Sequence, residues 1–442
     1  MDFNVTRSGH GLVPPSQPTP SAEVLDLSVI DRQPVLRCNA RTLHVFSHAS
    51  AATAAAAASP AQVIRQAFAK ALVPYYPLAG RLKLGSTDHT RLQIECSGEG
   101  IWMVEAKADR SLAELDYFEN VMSIPGDAVD RLLPPPPPPA DGLDPLVLVQ
   151  ITQFSCNGFV MGLTFCHAIC DGLGAAQFVK AVGEMARGAE KPSITPSWNR
   201  DLIQSPSLEA YLKSFPSILS PLPPPIPPYQ LEHVTLDIPL DEINRQKQKF
   251  RYQTNGQKCS AFDIVAANFW RHRTRAISDS LKENDELKLV FFANCRYHLS
   301  QPLPRGFYGN CFFPVTVTAS CGMLKRASMV HVVKNIQEAK AGLASEFAKW
   351  MNGGGQDVDP FLPPPLYTTL FLSEWGRLGF NEVDYGWGPP VQVVPIQGSG
   401  VIPVGIVGSL PSSQGPGIRL MTWCVEKAHL QPLANWPTGL DD

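Results

Sequence analysis

The first regular hydrophobic pattern runs from Pro60 to Leu72. Apolar residues recur there at the spacing of one helical face, at Val63, Ile64, Ala67, Phe68, Ala71 and Leu72. Pro74 and Pro77 follow, and proline cannot continue a helix. The pattern therefore predicts a packed helix that ends before Pro74.

Two strands and a helix are predicted in the middle of the chain. The apolar runs 146–154 and 159–165 are joined by Ser-Cys-Asn-Gly, whose Asn-Gly pair is a strong hairpin signal. Beyond a short loop, one face of a helix that ends near Gly188 is apolar, through Phe178, Val179, Val182, Met185 and Ala186. The second strand thus runs directly into His167.

The second half of the chain mixes helix and strand signals. Ser260 followed by Asp263 is typical of a capping box at a helix start, and the run 287–292 is typical of a buried strand. Helices and strands alternate irregularly, and no internal repeat is found. The pattern favours an α+β or mixed α/β architecture over a barrel or a repeat.

Length and proline distribution predict two domains. The chain has 442 residues, more than one ordinary core accommodates. The proline run 134–139 is typical of an exposed loop, and the Pro-rich run 221–228 after a polar stretch is the better linker. We expect an N-terminal domain over 1–205, a linker over 206–228 and a C-terminal domain over 229–442.

Composition excludes several classes of protein. Apolar residues make up 44% and charged residues 17% of the chain, as in a globular protein, and a net charge of -3 disfavours a nucleic-acid partner. No apolar run is long enough to span a membrane, and residues 1–11 do not resemble a signal peptide, so we expect a cytoplasmic protein without membrane insertion. The ten cysteines contain no CxxC pair, and no second ligand cluster accompanies Cys166 and Cys170, so free thiols and no metal are expected.

The segment around His167 is the first candidate for chemistry. It reads Phe-Cys-His-Ala-Ile-Cys-Asp-Gly over 165–172 and places an imidazole at the end of a predicted strand, where rigid scaffolds present catalytic groups. Asp171 has three possible roles: it could orient His167, pair with an arginine, or cap the helix that begins at Gly172. Spacing alone does not decide among them, and a histidine near an aspartate is often structural.

A second motif near the C-terminus makes the first one specific. Residues 384–388 read Asp-Tyr-Gly-Trp-Gly. Together with His-x-x-x-Asp-Gly, this segment resembles the paired signatures of the BAHD acyltransferases, which have phenylalanine where Tyr385 stands. The segments 76–81, 294–296 and 306–310 match the family in the same order, and the resemblance covers essentially the whole chain. At Asn294 the family more often has aspartate.

The resemblance implies a fold and a mechanism. The family has two similar-sized domains like chloramphenicol acetyltransferase, each a mixed sheet flanked by helices, with a channel between them. His167 would be the general base that takes the proton of an acceptor hydroxyl or amine, without an acyl-enzyme. Asp171 would pair with Arg296, and Asp384 would keep the channel and the coenzyme site in shape. Gly172, Gly386, Trp387 and Gly388 would be structural.

The resemblance also assigns binding residues. Trp375 would aim its indole N–H at the oxyanion, with Cys38, Ser373 and Trp375 contacting substrate and Ser260 lying near coenzyme A. The alternatives are that Trp375 is a pocket wall and that Ser260 only caps its helix. The co-substrate would be an acyl-CoA, with no tightly bound cofactor, and the other partner a small alcohol acceptor. A monomer is expected.

Substrate identity rests on finer similarity. The segments 11–28, 183–188, 307–312, 385–390 and 421–430 are most similar to the benzyl alcohol benzoyltransferase and taxane acyltransferase branch and to the grass p-coumaroyl-CoA:monolignol transferases. We expect transfer of a hydroxycinnamoyl group to an aromatic alcohol in a flat apolar pocket without a cation. Benzoyl or acetyl donors, O- or N-acylation, and a non-catalytic acyl-CoA or phenolic binding protein remain alternatives. A condensation enzyme like those of peptide synthetases and a metallohydrolase are weaker ones.

Overall fold

The structure is a computed structural model, and it describes residues 3–47, 59–85, 91–120, 126–137, 144–205, 207–208, 229–354, 359–362, 366–396 and 402–435. The described strands are β1 (Val5–Val13), β2 (Val24–Asp26), β3 (Asn39–Phe46), β4 (Arg81–Leu84), β5 (Leu92–Glu95), β6 (Ile101–Ala108), β7 (Val147–Gln153), β8 (Phe159–Cys166), β9 (Glu232–Pro239), β10 (Glu286–Asn294), β11 (Phe312–Ser320), β12 (Thr369–Glu374), β13 (Gln392–Pro395), β14 (Val404–Ser409) and β15 (Gly417–Val425). The described α-helices are α1 (Pro60–Ala71), α2 (Gly126–Asp130), α3 (Gly172–Ala186), α4 (Leu240–Gln253), α5 (Ala261–Ala276), α6 (Cys321–Arg326), α7 (Met329–Ala341), α8 (Leu343–Met351) and α9 (Lys427–Ala434).

Two six-stranded sheets carry the fold. The first has the order β1-β6-β7-β8-β3-β13, the second β11-β10-β12-β14-β15-β9, and a smaller sheet has the order β2-β5-β4. Each large sheet combines parallel pairs with antiparallel ones: β6 runs parallel to β7, and β10 and β14 run parallel to β12. Helices flank both sheets, so the predicted mixed α/β architecture is confirmed.

The predicted local elements form close to their expected bounds. Ser59 caps α1 through its side chain, and Pro60 occupies the first turn, where its missing N–H costs nothing. Ser260 and Asp263 form the predicted capping box at the start of α5. Asn157 adopts a φ of +64° in the turn between β7 and β8, the left-handed region that asparagine tolerates.

The core of the first sheet lies between its strands and the pair α1 and α3. Alternate residues of β8 point to that side, and the ring of Phe165 meets that of Phe178 on α3 edge-on at 6.0 Å. Burial of this shared apolar face holds α3 against the strand that precedes it. The turn at His167 is therefore fixed at both ends by packed elements.

The expected boundaries at residues 205 and 229 stay predictions, because the linker 206–228 falls outside the described residues apart from 207 and 208. Part of the region after residue 229 belongs to the first sheet and not to the second. Strand β13 pairs antiparallel with β3 at the edge of the first sheet, Gln392 opposite Val45. The assignment of all of 229–442 to a separate C-terminal domain is wrong for this strand.

None of the described helices is both long and apolar enough to cross a membrane. Within the same part of the chain, no three metal-ligating side chains come together in a cluster.

Candidate active site

His167 begins the turn that follows β8. Its backbone N–H donates to the carbonyl of Cys38 at 2.8 Å, so the pairing of β8 with β3 continues one residue beyond the strand. The imidazole is half-buried and lies edge-on to Phe312 with ring centres 6.2 Å apart. Its Nδ1 is buried without a hydrogen-bond partner among the described residues, so protein already covers that nitrogen. Chemistry on a substrate would fall to Nε2.

Asp171 both caps α3 and pairs with Arg296. One carboxylate oxygen accepts the N–H of Gly174 at 3.0 Å, and the guanidinium of Arg296 donates to both oxygens at 2.8 and 2.9 Å. The N–H of Cys311 adds a fourth bond at 3.2 Å. The predicted pair and the helix cap are therefore present together. Among the described contacts, none joins Asp171 to His167.

Arg296 ties this carboxylate to the second half of the chain. Its Nη2 also donates to the carbonyl of Gly309 at 2.8 Å, and its Nη1 donates to Asn294 Oδ1 at 3.3 Å. Burial opposes the charge of Arg296, but the Asp171 carboxylate outweighs it and raises the pKa of the guanidinium. At Asn294 the amide oxygen accepts a hydrogen bond from this arginine, as a carboxylate oxygen could, but without a negative charge.

Asp384 shapes its own motif. Its Oδ1 accepts the backbone N–H groups of Gly386 at 2.7 Å and Gly388 at 2.9 Å, and its carbonyl accepts a hydrogen bond from Arg187. Gly386 and Gly388 have φ angles of +108° and +84°, which favour glycine. The carboxylate thus holds a tight turn, in keeping with the architectural role that the resemblance implies.

The two aromatic residues of this motif pack into the core of the first sheet. Tyr385 meets Phe46 edge-on at 5.5 Å, and Trp387 meets Phe159 edge-on at 5.7 Å. Among the described residues, the hydroxyl of Tyr385 reaches only the sulfur of Met161, at 3.5 Å, and burial raises the pKa of this phenol. The aromatic residues of this late motif therefore belong to the core of the first sheet. Strand β13, which follows the motif in the sequence, belongs to the same sheet.

Trp375 does not present a free donor in this structure. Its indole N–H donates to Ser373 Oγ at 3.0 Å, and its ring stacks on Phe380 with centres 6.0 Å apart. The hydroxyl of Ser373 thus accepts the hydrogen bond of the indole N–H that was expected to face the oxyanion. Glu374 lies between Ser373 and Trp375 in the sequence. Burial raises the pKa of its carboxyl group, which lies 3.5 Å from Arg377.

Ser260 lies where a helix begins. Its hydroxyl accepts the N–H of Asp263 at 3.0 Å, and Lys340 pairs with the carboxylate of Asp263 at 2.7 Å. The capping role is therefore present. Contact with coenzyme A stays a prediction.

A cavity of about 530 Å³ adjoins the turn at His167. Cys166, Ala168, Cys38 and Asn39 line it on the side of the turn. The rest of its wall combines leucines and prolines with charged groups: Leu82, Leu92, Leu133, Pro134, Pro135, Pro136, Pro137, Pro145, Leu146, Leu148, Arg7, Arg37, Arg41, Asp130 and Asp144. Thr164 completes it. The arginines distinguish this cavity from the flat apolar acceptor pocket without a cation that was expected, and the position of the acceptor pocket stays a prediction.

The thiols beside His167 are held in their neutral form. Burial raises the pKa of Cys38 to about 11 and that of Cys166 to about 12, and it also raises the pKa of Cys170. A thiol is a good nucleophile only as thiolate. None of these three cysteines is therefore suited to carry an acyl group at neutral pH.

Sequence reasoning missed three buried polar residues around the turn. Asp31, Arg200 and Asn310 contact it or each other through hydrogen bonds. The one signal in the sequence is that Asp31 interrupts an apolar stretch, Leu-Ser-Val-Ile-Asp over 27–31. An ionised residue in such a place needs a buried partner, but the pattern does not say which.

The chain is similar to known proteins over nearly its whole length. The model of the Transferase family matches residues 3–433. Acyl transferase 4 of rice, Oryza sativa subsp. japonica, is 42% identical over 97% of each chain. Myricetin 3-O-glucosyl 1,2-rhamnoside 6'-O-caffeoyltransferase AT2 of Crocosmia x crocosmiiflora is 37% identical over 98% of each chain. The crystal structure of vinorine synthase has the same fold, with a TM-score of 0.69 over 97% of this chain and 96% of its own at 19% identity.

The fold, the paired motifs and the full-length matches define an acyltransferase that uses acyl-CoA as its co-substrate. The chain belongs to the BAHD acyltransferase family.

Proposed function

We propose that this enzyme transfers a hydroxycinnamoyl group, p-coumaroyl first of all, from coenzyme A to the hydroxyl of a small aromatic alcohol such as a monolignol. The observation that carries the proposal is the placement of His167 at the end of β8, in a turn whose residues Cys166 and Ala168 line a cavity of about 530 Å³ with a wall rich in leucine and proline. That volume falls within the range of small-molecule sites. The similarity to a caffeoyltransferase supports a hydroxycinnamoyl donor.

His167 acts as general base in this proposal. Its Nε2 takes the proton of the acceptor hydroxyl while the oxygen attacks the thioester carbonyl. The tetrahedral oxyanion collapses, the carbon–sulfur bond breaks, and the imidazolium returns the proton to the departing thiolate of coenzyme A. Because Cys38, Cys166 and Cys170 are protonated, direct transfer is favoured over an acyl-enzyme.

We place the coenzyme near the start of α5. This helix has 16 residues, and its first-turn N–H groups favour phosphate oxygens. Lys340 pairs with Asp263 in the same turn and offsets the negative charge of that carboxylate. Ser260 would contact the coenzyme there while still capping the helix. Ser373 and Trp375 would line the path to His167, and Trp375 would turn its N–H toward the oxyanion only when substrate displaces Ser373.

The arginines of the cavity favour a second candidate, an acceptor that carries a carboxylate or several hydroxyls. Arg41 lies 3.6 Å from Asp130, and Arg7 donates to Gln150 at 3.1 Å, so both are held at the cavity wall. A guanidinium discriminates strongly between an anion and a neutral analogue. The donor in either candidate could also be benzoyl- or acetyl-CoA. We further propose that the enzyme is monomeric and cytoplasmic.

The test measures release of free coenzyme A thiol. The purified enzyme is mixed with p-coumaroyl-, feruloyl-, benzoyl- and acetyl-CoA, each with coniferyl alcohol, with a hydroxylated aromatic acid and with an aromatic glycoside. The proposal expects fastest release from p-coumaroyl-CoA with coniferyl alcohol. His167→Ala should abolish release, whereas His331→Ala, a change on the exposed face of α7, should not.

Each outcome separates one possibility. Release with the acid or the glycoside but not with coniferyl alcohol establishes the second candidate. No release above the His167→Ala background with any pair rejects these donors and acceptors, and unchanged release in His167→Ala rejects the assignment of the base.

A further inference from the structure

We infer that Asn310 is a positioning residue for His167, and that the buried pair Asp31–Arg200 fixes its orientation. The inference rests on the proposed role of His167 as general base. It concerns how the imidazole is aimed, since Asn310 contacts the backbone of His167 and does not touch the ring.

The side chain of Asn310 joins two acceptors. It is fully buried, and its Nδ2 donates to the carbonyl of His167 at 2.8 Å and to Asp31 Oδ1 at 2.7 Å. Both neighbours accept and neither donates, so only the NH₂ end of the amide can face them. The Oδ1 of Asn310 is left buried without a partner among the described residues. The amide thus makes both bonds of its NH₂ group and leaves its oxygen without one. This indicates that the two bonds of the NH₂ group determine how the amide is oriented.

Asp31 sets the direction of that amide. Its Oδ1 accepts both the side chain of Asn310 and its backbone N–H, the latter at 3.0 Å. Its Oδ2 accepts the hydroxyl of Ser28 at 2.9 Å and Arg200 Nε at 3.2 Å. Asp31 and Arg200 are at most 1% exposed, so this ion pair is shielded from salt and water.

Arg200 reaches the same turn from a second direction. Its Nη2 donates to the carbonyl of Ile169 at 2.5 Å, and its guanidinium lies 3.6 Å from the ring centre of Trp198. The turn is thus held at the carbonyls of His167 and Ile169 and at the carboxylate of Asp171. The N–H of His167 is bound to Cys38 and its carbonyl to Asn310, so both of its backbone groups are fixed.

In this arrangement Asn310 holds the backbone of His167 and thereby determines the direction of its imidazole. The direction of an imidazole depends on its backbone, and a misplacement of about 1 Å at a reacting group can cost about 100-fold in rate. Without the bond from Asn310 the carbonyl of His167 loses its only side-chain donor among the described contacts. We therefore expect loss of rate with little loss of substrate affinity.

The experiment compares Asn310→Ala and the isosteric Asn310→Asp with the wild-type enzyme. Asn268→Ala is the matched control, because Asn268 is also buried but lies in α5, and no described hydrogen bond joins it to the turn. Thermal unfolding, kcat and KM for the acyl-CoA are measured, and ¹⁵N-histidine NMR follows the imidazole signals, with His167 assigned by its loss in His167→Ala.

The inference expects folded Asn310 variants in which kcat falls about 10- to 100-fold, KM changes little, and the His167 imidazole signals move. Asn268→Ala should change neither kcat nor those signals. Wild-type kcat with unmoved signals in the Asn310 variants overturns the inference, and so does failure of both variants to fold, because Asn310 would then serve the fold alone. If the wild-type enzyme shows no transfer, the proposed function fails, and the NMR signals still decide whether Asn310 aims His167.

Discussion

At the scale of single residues, Tyr385 places a hydroxyl group in an apolar core, where it is poorly satisfied. The side chain is 1% exposed, and its only described hydrogen-bond partner is the sulfur of Met161, a weak acceptor. We predict that Tyr385→Phe leaves kcat unchanged and raises the free energy of unfolding by about 0–1 kcal/mol, since a poorly satisfied polar group is removed. Urea denaturation measures this.

The control is Tyr75→Phe, because the buried hydroxyl of Tyr75 accepts Gln177 Nε2 at 3.0 Å. That change should cost about 1 kcal/mol. Equal losses in the two variants would show that the Tyr385 hydroxyl is better satisfied than its contacts indicate.

His44 predicts a pH dependence of stability. It is fully buried on β3, and burial lowers its pKa from 6.5 to about 3. The unfolded chain binds a proton near pH 6.5, whereas the folded chain does so only near pH 3. The stabilisation is therefore complete above pH 6.5 and is lost as the pH falls toward 3, by about 2 kcal/mol between pH 7 and pH 5.

Urea denaturation at pH 7 and pH 5 tests this on the wild-type enzyme and His44→Gln. The variant should lose about 2 kcal/mol less over this interval, while His331→Gln, on the exposed face of α7, should behave as wild type. Identical pH dependence in His44→Gln and wild type would contradict the prediction.

At the scale of elements, the start of α3 is set by close contact with the segment before β11. A Cβ at Gly174 would lie 1.9 Å from the carbonyl oxygen of Tyr308, whereas one at Gly172 would meet a methyl carbon of Leu378 at 2.5 Å, which can rotate away. Gly174→Ala should therefore lower the free energy of unfolding by about 1–3 kcal/mol and reduce kcat, because it displaces the helix that Asp171 caps.

Gly172→Ala is the comparison and should cost clearly less than Gly174→Ala in the same unfolding measurement. If Gly172→Ala is the more damaging change, backbone contact at Gly174 is not what places this helix.

The elements that sequence predicted are those with local causes. Helix α1 has a capping serine, a proline and a regular apolar face, and β7 and β8 have an Asn-Gly turn between two apolar runs. Strand β13 is four residues long, and its partner β3 lies more than 300 residues earlier, so no local pattern reveals it.

The residues of the site also divide into those that the sequence predicts and those that only the fold reveals. His167 and Asp171 stand in one motif, and Arg296 follows from the family resemblance. The task of Asn310 depends on two partners brought together only by the fold, and the bond between Trp375 and Ser373 depends on side-chain rotation.

At the scale of the whole molecule, the two large sheets are joined by more than the linker. Strand β13 completes the first sheet, and Tyr385 and Trp387 fill its core, although both follow most of the second sheet in sequence. We predict that the protein unfolds in one cooperative transition, so that far-UV circular dichroism and tryptophan fluorescence have the same midpoint in urea.

Val394→Asp places a charge in β13, where Val394 is buried. If the halves unfold together, this variant should shift both signals equally. Two separate transitions, with only one of them shifted, would show that the halves are independent.

The position of β13 also has a consequence for synthesis on the ribosome. Until residue 395 has been translated, β3 remains an open edge of the first sheet, and the cavity left by Tyr385 and Trp387 is unfilled. The first half of the nascent chain must therefore wait for almost the entire polypeptide, exposed to the premature pairing that chaperones prevent. Early termination before residue 385 should thus yield chains that aggregate, and not a shortened enzyme with partial activity.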